Sequence, residues 1–155
     1  MTNRPQAIKG AFLQVYATML DRPQVLRSQA QPLMGLRILL VEDEFDIANL
    51  LLFILADAGA EVVWVAQSSD ALACLPDIHP DILLSNIKLP DEDGDWLIQA
   101  IREAESETFH HLPAIAISSY TREVAEHQML EAGFERFLPK IFDSDQLIAT
   151  ILELV

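Results

Sequence analysis

Short apolar runs alternate with amphipathic segments along most of the chain, from residue 36 to residue 155. Each apolar run has the length of a strand, and each segment that follows it has apolar positions at helical spacing. The pattern predicts strands over 37–41, 61–66, 81–85, 113–118 and 134–138. It predicts helices over 46–58, 68–75, 95–105, 121–132 and 144–154, with Gly59, Pro76 and Gly133 ending the first, second and fourth of these helices.

Strands that alternate with helices favour a parallel sheet, because parallel neighbours need a crossover connection that is usually a helix. A parallel sheet is covered on both faces, and its strands are therefore continuously apolar. The runs 38–41, 82–84 and 114–117 have this character. We therefore predict an α/β fold with a doubly wound, five-stranded parallel sheet.

The first 35 residues differ in pattern from the rest of the chain. Between residues 7 and 20, apolar residues recur at helical spacing and predict an amphipathic helix of about three to four turns. These residues are Ile8, Ala11, Phe12, Val15, Tyr16 and Met19. Pro23 and Pro32 interrupt helical continuation, which predicts a linker over 21–35. The predicted organisation is an N-terminal helical extension with its linker over 1–35 and a folded domain over 36–155.

The apolar stripe of the predicted N-terminal helix must be covered. Three arrangements satisfy this requirement. The helix could fold back on its own domain, pair with the same helix of a second subunit, or continue a helix from an upstream sensor domain. The sequence pattern does not distinguish among them.

The formal charge of −14 and the pI near 4.4 make nucleic acid and anionic membrane surfaces poor candidates as partners. The single cysteine, Cys74, excludes an internal disulfide and a cysteine-based metal motif. We find no continuous apolar run that resembles a signal peptide or a membrane span. These features together favour a cytoplasmic protein.

Polar side chains follow four of the five predicted strands, at the point where each strand ends. Glu42 and Asp43 follow the first strand, Asn86 the third, Ser118 the fourth and Lys140 the fifth. The carboxyl ends of parallel strands gather on one edge of an open sheet, so we expect these groups to lie close together. Carboxylate oxygens suit Mg²⁺, and the hydroxyl and ammonium groups suit the oxygens of a phosphoryl group.

At these positions the chain resembles the receiver domains of two-component response regulators, particularly those attached to hybrid kinases in cyanobacteria. The resemblance covers residues 36–155 and is carried by four runs in the same order. They are LLVEDE over 39–44, PDILLSNIKLPDEDG over 80–94, PAIAIS over 113–118 and GFERFLPK over 133–140. The resemblance implies a flavodoxin-like sheet with strand order 2-1-3-4-5.

The resemblance also implies roles for individual residues. Glu42, Asp43, the residue at 86 and the backbone carbonyl of Lys88 correspond to the groups that hold Mg²⁺. Asn86 stands at the position of the phosphate-accepting aspartate. Three further residues correspond to the groups that respond to the phosphoryl group, namely Ser118 as its sensor, Lys140 as its neutralising cation and Phe137 as the aromatic switch.

Asn86 departs from the pattern of the family. An amide oxygen is a far poorer nucleophile than a carboxylate, so ordinary phosphoryl transfer to this position should be absent. The loss of one negative charge also weakens the expected attraction for Mg²⁺. With residue 86 neutral, the ammonium of Lys88 could balance Glu42 and Asp43 without metal. A second departure is that Ile141, rather than proline, follows Lys140.

The sequence therefore predicts a receiver-like module of a phosphorelay that acts through protein–protein contacts and is not an enzyme. The expected partners are a histidine kinase or other signalling proteins. Homodimers could form through the N-terminal helix, or through the face of the fourth helix, fifth strand and fifth helix. One alternative is a phosphorylatable response regulator in which Asn86 is an introduced replacement for aspartate. Another, a phosphatase with an aspartate nucleophile, would need carboxylates at positions 86 and 88.

Overall fold

The structure of the chain is a computed structural model that describes residues 31–108, 110–118, 123–140 and 143–155. The amphipathic helix predicted over 7–20 and most of its linker lie outside these residues. The division of the chain at residue 35 therefore stays a prediction.

Five parallel strands alternate with five helices in the described residues. In chain order they are β1 Arg37–Val41, α1 Phe45–Asp57, β2 Glu61–Val65, α2 Ser68–Ile78, β3 Ile82–Asn86, α3 Gly94–Thr108, β4 Ala114–Ser118, α4 Glu123–Ala132, β5 Arg136–Pro139 and α5 Ser144–Leu154. The strands form one sheet in the order β2-β1-β3-β4-β5, and every neighbouring pair is parallel. The predicted doubly wound α/β fold with order 2-1-3-4-5 is confirmed.

The core has two parts, one on each face of the sheet, because successive side chains of a strand point to opposite faces. Ile38 and Leu40 of β1 pack with the apolar faces of α1 and α5. Leu39 and Val41 pack on the other face with α2, α3 and α4. Every residue of β3 and β4 is buried, which explains why these strands are continuously apolar until their polar ends.

Helix α2 runs one turn beyond its predicted end. Pro76 lies inside the helix, which continues to Ile78 and stops where His79 takes a left-handed conformation with φ of 51°. A proline inside a helix removes its own N–H from the ladder and crowds the carbonyl four residues earlier, but its φ is compatible with a helix. The helix continues through Pro76 nonetheless. The predicted end at Leu75 is therefore wrong, and the stop comes from the backbone at His79, whose N–H bonds to the Leu75 carbonyl.

Helix α3 begins at Gly94, where the chain turns back against the end of β3. A side chain at this position would place its Cβ 2.8 Å from the carbonyl oxygen of Asn86. The N–H of Gly94 also donates to the carbonyl of Ile87 at 2.7 Å. The glycine therefore lets the loop 87–94 fold tightly over the carboxyl end of the sheet.

Candidate functional site

The carboxyl ends of β1, β3, β4 and β5 bring the polar residues anticipated from the sequence to one edge of the sheet. Glu42 and Asp43 follow β1, Asn86 ends β3, Ser118 ends β4 and Lys140 follows β5. The parallel register sets Asn86 beside Ile117 and Ser118 beside Pro139, so the ends of these strands are level. We call Glu42, Asp43, Asn86, Lys140 and the Lys88 carbonyl the acidic pocket.

The amide nitrogen of Asn86 is the point on which the acidic pocket converges. It donates to Oε2 of Glu42 at 3.1 Å, to Oδ1 of Asp43 at 3.0 Å and to the carbonyl of Lys88 at 2.8 Å. An amide nitrogen has only two hydrogens, so the three acceptors share them. All three neighbours are acceptors, and the amide is therefore oriented with its nitrogen toward them.

Glu42 is a buried carboxylate that is only partly satisfied. Its side chain is 1% exposed, and its Oε2 accepts from the Glu44 N–H at 3.1 Å. Its Oε1 lies 3.1 Å from Nζ of Lys140, outside hydrogen-bond geometry, and accepts no hydrogen bond from the described residues. Burial raises the pKa of the Glu42 carboxyl, although the Glu44 N–H and the Lys140 ammonium act against that effect.

Lys140 supplies the positive charge of the acidic pocket. Its Nζ lies 3.3 Å from Oε2 of Glu42 and 3.0 Å from Oε1 of Glu44, and its side chain is 7% exposed. Its backbone N–H donates to the Ser118 carbonyl at 2.6 Å, which ties the residue after β5 to β4. Burial acts to lower the pKa of Lys140, but the carboxylates of Glu44 and Glu42 outweigh burial and raise it. The ammonium therefore stays charged.

The ammonium of Lys88 does not enter the acidic pocket. It lies 3.2 Å from Oδ2 of Asp93, and its side chain is 65% exposed. Only the backbone carbonyl of Lys88 faces Asn86. The hypothesis that the Lys88 ammonium balances Glu42 and Asp43 is therefore wrong, because Lys140 and the Asn86 amide face those oxygens instead.

Ser118 lies at the end of β4 beside Pro139 of β5, and Phe137 lies within β5 beside Ala116 of β4. Ser118 is 1% exposed at the end of β4. Phe137 is half-buried and packs against the core on the face covered by α2, α3 and α4. A phenylalanine ring has no hydroxyl group, so any movement of Phe137 would exchange apolar burial for exposure without a hydrogen bond.

Two contributors to the site were not anticipated from the sequence. Glu44 pairs with Lys140, and the only sequence signal was its place in the acidic run after β1. Trp64 of β2 donates from its indole nitrogen to the carbonyl of Glu42 at 2.7 Å, and the ring of Phe45 meets the Trp64 indole edge-on at 6.0 Å. Trp64 therefore holds the backbone at the start of the acidic run, a role that depends on the pairing of β1 with β2.

The loop 87–94 is fastened to the first turn of α2. Asp91 accepts from the backbone N–H groups of Ser68 and Ser69 at 3.0 and 2.9 Å, and the Ser68 hydroxyl donates to the carbonyl of Glu92 at 2.7 Å. Burial is the largest single effect on the pKa of Asp91 and acts to raise it, but the hydrogen bonds from Ser69, Glu92 and Ser68 together outweigh burial and lower the pKa to about 2. Asp91 thus caps a helix from another loop and holds the loop that carries the Lys88 carbonyl.

The donor set of the acidic pocket is of the kind that suits Mg²⁺. Two carboxylates and a backbone carbonyl are hard oxygen ligands, and the Oε1 of Glu42 accepts no hydrogen bond within the part of the chain that the structure describes. The orientation of Asn86 is the misfit, because an amide nitrogen with its hydrogens cannot bind a cation. The amide group would first have to flip, so that its Oδ1 instead of its nitrogen faces the place of the ion. Among the described residues, no three His, Cys, Asp or Glu side chains are grouped so that they could hold a metal ion.

Comparisons with known proteins agree with this arrangement. The model of the response regulator receiver domain family matches residues 38–152. An uncharacterised 14.6 kDa protein from the sodA1 3′ region of Leptolyngbya boryana is 38% identical over 122 residues, which cover 78% of this chain and 91% of that protein. The regulatory protein AtoC of Escherichia coli is 32% identical over 111 residues, which cover 72% of this chain but only 23% of AtoC.

A solved structure of a response regulator is also similar to this chain. The crystal structure of a putative response regulator from Chloroflexus aurantiacus superposes with a TM-score of 0.72 at 27% identity, covering 77% of this chain and 96% of that one. The chain therefore belongs to the receiver domain family of the response regulators. Members of this family are signalling modules that interact with histidine kinases and generally bind Mg²⁺ at an acidic pocket. No helix in the described part of the chain has the length and apolar character needed to cross a membrane.

Proposed function

We propose that this protein is a receiver module whose phosphate-accepting position is held by Asn86, and that it signals through protein contacts without phosphorylation at that residue. The observation that carries the proposal is the set of three hydrogen bonds from the Asn86 amide nitrogen to Glu42, Asp43 and the Lys88 carbonyl. The amide acts there as a hydrogen-bond donor. A phosphate acceptor would have to act as a nucleophile instead.

The chemistry of the amide supports the same conclusion. The nitrogen lone pair of an amide is delocalised, and the neutral oxygen attacks a phosphoryl group far less readily than a carboxylate does. Ser118 and Lys140 would be placed to sense and neutralise a phosphoryl group, with Phe137 as the coupled aromatic. In this protein the Lys140 ammonium is held by Glu42 and Glu44. We therefore propose that the acidic pocket keeps one internal arrangement and that the protein has no catalytic turnover.

The affinity of the acidic pocket for Mg²⁺ should be lower than that of a receiver with aspartate at position 86. Glu42, Asp43 and the Lys88 carbonyl would hold the ion, which in a receiver supplies positive charge for phosphoryl transfer. With Asn86 in place of aspartate, one negative charge is missing, and the ion would compete with the Asn86 amide for the same oxygens. We expect Mg²⁺ to bind weakly.

The partners we propose are a histidine kinase or other signalling proteins in the cytoplasm. The face formed by α4, β5 and α5 is a candidate surface for such a partner or for a second copy of the chain. Its exposed side chains include Leu130 and Leu152, which are 40% and 44% exposed. We propose no contact with nucleic acid or membrane, because residues 31–155 carry six basic and 23 acidic side chains.

Phosphorylation of the parent protein and of the Asn86→Asp variant tests the proposal. Both would be incubated with Mg²⁺ and acetyl phosphate, and the phosphoryl group would be detected by intact mass and by its lability to hydroxylamine. We expect no acyl phosphate on the parent and a labelled Asn86→Asp protein, because aspartate restores the nucleophile in a pocket that otherwise keeps its donors. An Asn86→Ala variant, which has no side-chain nucleophile, is the matched control.

The result also decides between the proposal and its alternative. Acyl phosphate on the parent at residue 86 would refute the proposal directly. Labelling of Asn86→Asp alone supports it and shows that the remaining residues still serve the chemistry of a phosphorylatable regulator. Failure of both proteins, with both folded by circular dichroism, would contradict the roles given to Ser118 and Lys140.

A further inference from the structure

The backbone of Glu42 is held at both of its polar groups by β2, which is an edge strand of the sheet. The N–H of Glu42 donates to the carbonyl of Val65 at 3.0 Å, and its carbonyl accepts from the indole nitrogen of Trp64 at 2.7 Å. Strand β1 ends at Val41, so the Glu42 carbonyl lies beyond the regular ladder. A buried carbonyl needs a donor, and the indole supplies one where the ladder has stopped.

The position of Trp64 is set by the pairing of β1 with β2. Trp64 lies opposite Leu40 and is half-buried against the core on the face covered by α1 and α5. Residues two apart on a strand share a face, so an indole beside Leu40 can reach past the end of β1 to Glu42. The ring of Phe45, the first residue of α1, meets the indole edge-on at 6.0 Å. The indole therefore packs against both the core and the start of α1, and it holds the segment 42–45 between them.

The carboxylate of Glu42 has contacts that depend on where its backbone lies. Its Oε2 accepts from the Asn86 amide and the Glu44 N–H at 3.1 Å each, and from the Lys140 ammonium at 3.3 Å. The side chain is 1% exposed, so water cannot replace these donors. A backbone shift of about 0.5 Å away from the acidic pocket would lengthen the three contacts past the limit of a hydrogen bond.

We propose that Trp64 is a positioning residue of the acidic pocket. Its indole N–H, acting through the Glu42 carbonyl, sets where the Glu42 carboxylate lies, both for the Asn86 amide and for a cation. Groups that hydrogen-bond a metal ligand without touching the metal change the affinity for that metal. The inference goes beyond the proposed function, because Trp64 would position Glu42 with either asparagine or aspartate at position 86.

A purely structural role for Trp64 predicts a different result. A tryptophan that is partly buried needs a partner for its own N–H, and the Glu42 carbonyl would then serve only the indole. Loss of the indole would in that case lower the stability of the whole domain without a separate effect on the acidic pocket. If Trp64 positions Glu42, loss of the indole loosens the acidic pocket while the rest of the domain stays folded.

Hydrogen exchange in the metal-free parent, measured by NMR, separates the two roles. The side-chain amide hydrogens of Asn86 report opening of the acidic pocket. The backbone N–H of Leu83, which donates to the Pro113 carbonyl at 2.9 Å in the middle of the sheet, reports global unfolding. Trp64→Phe keeps an aromatic ring but removes the donor, and we expect it to speed exchange at Asn86 about tenfold, with exchange at Leu83 remaining slower.

The matched control is Trp96→Phe, the same change at the other of the two tryptophans. Trp96 lies on α3 and is 41% exposed, and it should leave exchange at Asn86 unchanged. An equal rise in the two variants would overturn the proposal. If Trp64→Phe does not fold, Trp64 can be replaced by benzothienylalanine in the Trp96→Phe background, which keeps the shape of the indole and removes only its N–H. The same rise at Asn86 is expected.

A cation titration tests the same role independently. In the Asn86→Asp background, calorimetry should show that Trp64→Phe weakens Mg²⁺ binding about tenfold and that Trp96→Phe does not. Failure of Asn86→Asp to bind Mg²⁺ would count against the cation site of the proposed function, and exchange at Asn86 in the parent would then decide the role of Trp64 alone. Unchanged exchange at Asn86 in Trp64→Phe, or an unchanged Mg²⁺ affinity, would overturn the positioning role and leave the proposed function intact.

Discussion

The two edges of the sheet, where the strands begin and where they end, both hold charged side chains largely away from water. They differ in how completely those side chains are hydrogen-bonded. At the edge where β4 and β5 begin, Arg102 of α3 donates to the carbonyls of Gly133 and Leu112 at 2.8 Å each. It also pairs with Glu105 at 2.7 Å and with Glu135 at 3.1 Å. At the edge where the strands end, the carboxylates of the acidic pocket are met by one amide and one ammonium.

The difference shows which edge is built for stability and which for binding. Every nitrogen of the Arg102 guanidinium has an acceptor, and the carboxylate of Glu135 also accepts from the Ala114 N–H and contacts His111. A partly buried network in which each guanidinium nitrogen has an acceptor rigidifies the fold. Among the described residues, Oε1 of Glu42 instead accepts no hydrogen bond and has only the Lys140 ammonium nearby at 3.1 Å, and this incomplete satisfaction is typical of a site that meets a ligand or a cation.

Removal of Arg102 should have the largest effect on stability. We expect Arg102→Ala to lower the free energy of unfolding by about 2–4 kcal/mol, because two partly buried carboxylates and two carbonyls each lose one hydrogen-bonding partner. Urea unfolding at neutral pH measures this loss in the free energy of unfolding. The control is Arg136→Ala, whose pair with Glu153 at 3.5 Å is solvent-exposed and should contribute less than about 1 kcal/mol. Similar losses in the two variants would contradict the contrast between the edges.

The Asn86→Asp substitution should have an intermediate effect that depends on the cation. A carboxylate beside Glu42 and Asp43 replaces a donor with a like charge, so we expect a loss of about 1–3 kcal/mol without metal. Mg²⁺ should recover most of this loss, since a ligand that binds only the folded state stabilises it. Thermal unfolding without Mg²⁺ measures the loss of stability, and thermal unfolding with Mg²⁺ measures its recovery.

The parent and the Lys88→Ala variant are the controls for the Mg²⁺ effect. Both should respond weakly to Mg²⁺, because the ammonium of Lys88 points to Asp93 and only its backbone carbonyl reaches the acidic pocket. A rise in the melting temperature of the parent as large as that of Asn86→Asp would show that Asn86 does not weaken the site.

Loss of the Asp91 cap should have the smallest effect and should depend on pH. The pKa of Asp91 is lowered from 3.8 to about 2, so its carboxylate stabilises the fold above about pH 4, and this stabilisation is lost as the pH falls toward 2. Asp91→Asn removes the charge and one of the two accepting oxygens, and it should therefore cost about 1 kcal/mol at neutral pH and almost nothing near pH 2. Asp77→Asn, an exposed change of the same kind at the other end of α2, is the matched control. If the free energies of unfolding of Asp91→Asn and the parent differ by the same amount at neutral pH and near pH 2, the Asp91 carboxylate does not stabilise the start of α2.

Much of the candidate site followed from positions along the chain. Glu42, Asn86, Ser118 and Lys140 each come directly at the end of an apolar run, and the geometry of a parallel sheet carries such residues to one edge. The partners of these residues did not follow from their positions. The amide of Asn86 was expected to be a weak metal ligand, whereas it donates hydrogen bonds, because the orientation of an amide is set by its neighbours in space.

Contacts between distant parts of the chain account for the remaining surprises. Asp91 caps α2 from a loop 23 residues away, and Arg102 reaches Glu135 across 33 residues. The two residues of each contact are so far apart in the sequence that no pattern of neighbouring residues predicts it. Pro76 led to a wrong helix end for a related reason, since packing of Ala71 and Cys74 into the core supports the helix past the missing hydrogen bond.

The sequence by itself determined the number and type of elements, the parallel sheet, the edge on which its polar residues gather and the absence of a carboxylate at position 86. These properties depend on the order of apolar and polar residues, which acts locally. Only the tertiary structure decided that Asn86 donates to three oxygens, that Lys140 rather than Lys88 neutralises the acidic pocket, and that Trp64 donates to the carbonyl of Glu42. Each of these depends on which side chains meet across strands and helices that lie far apart in the chain.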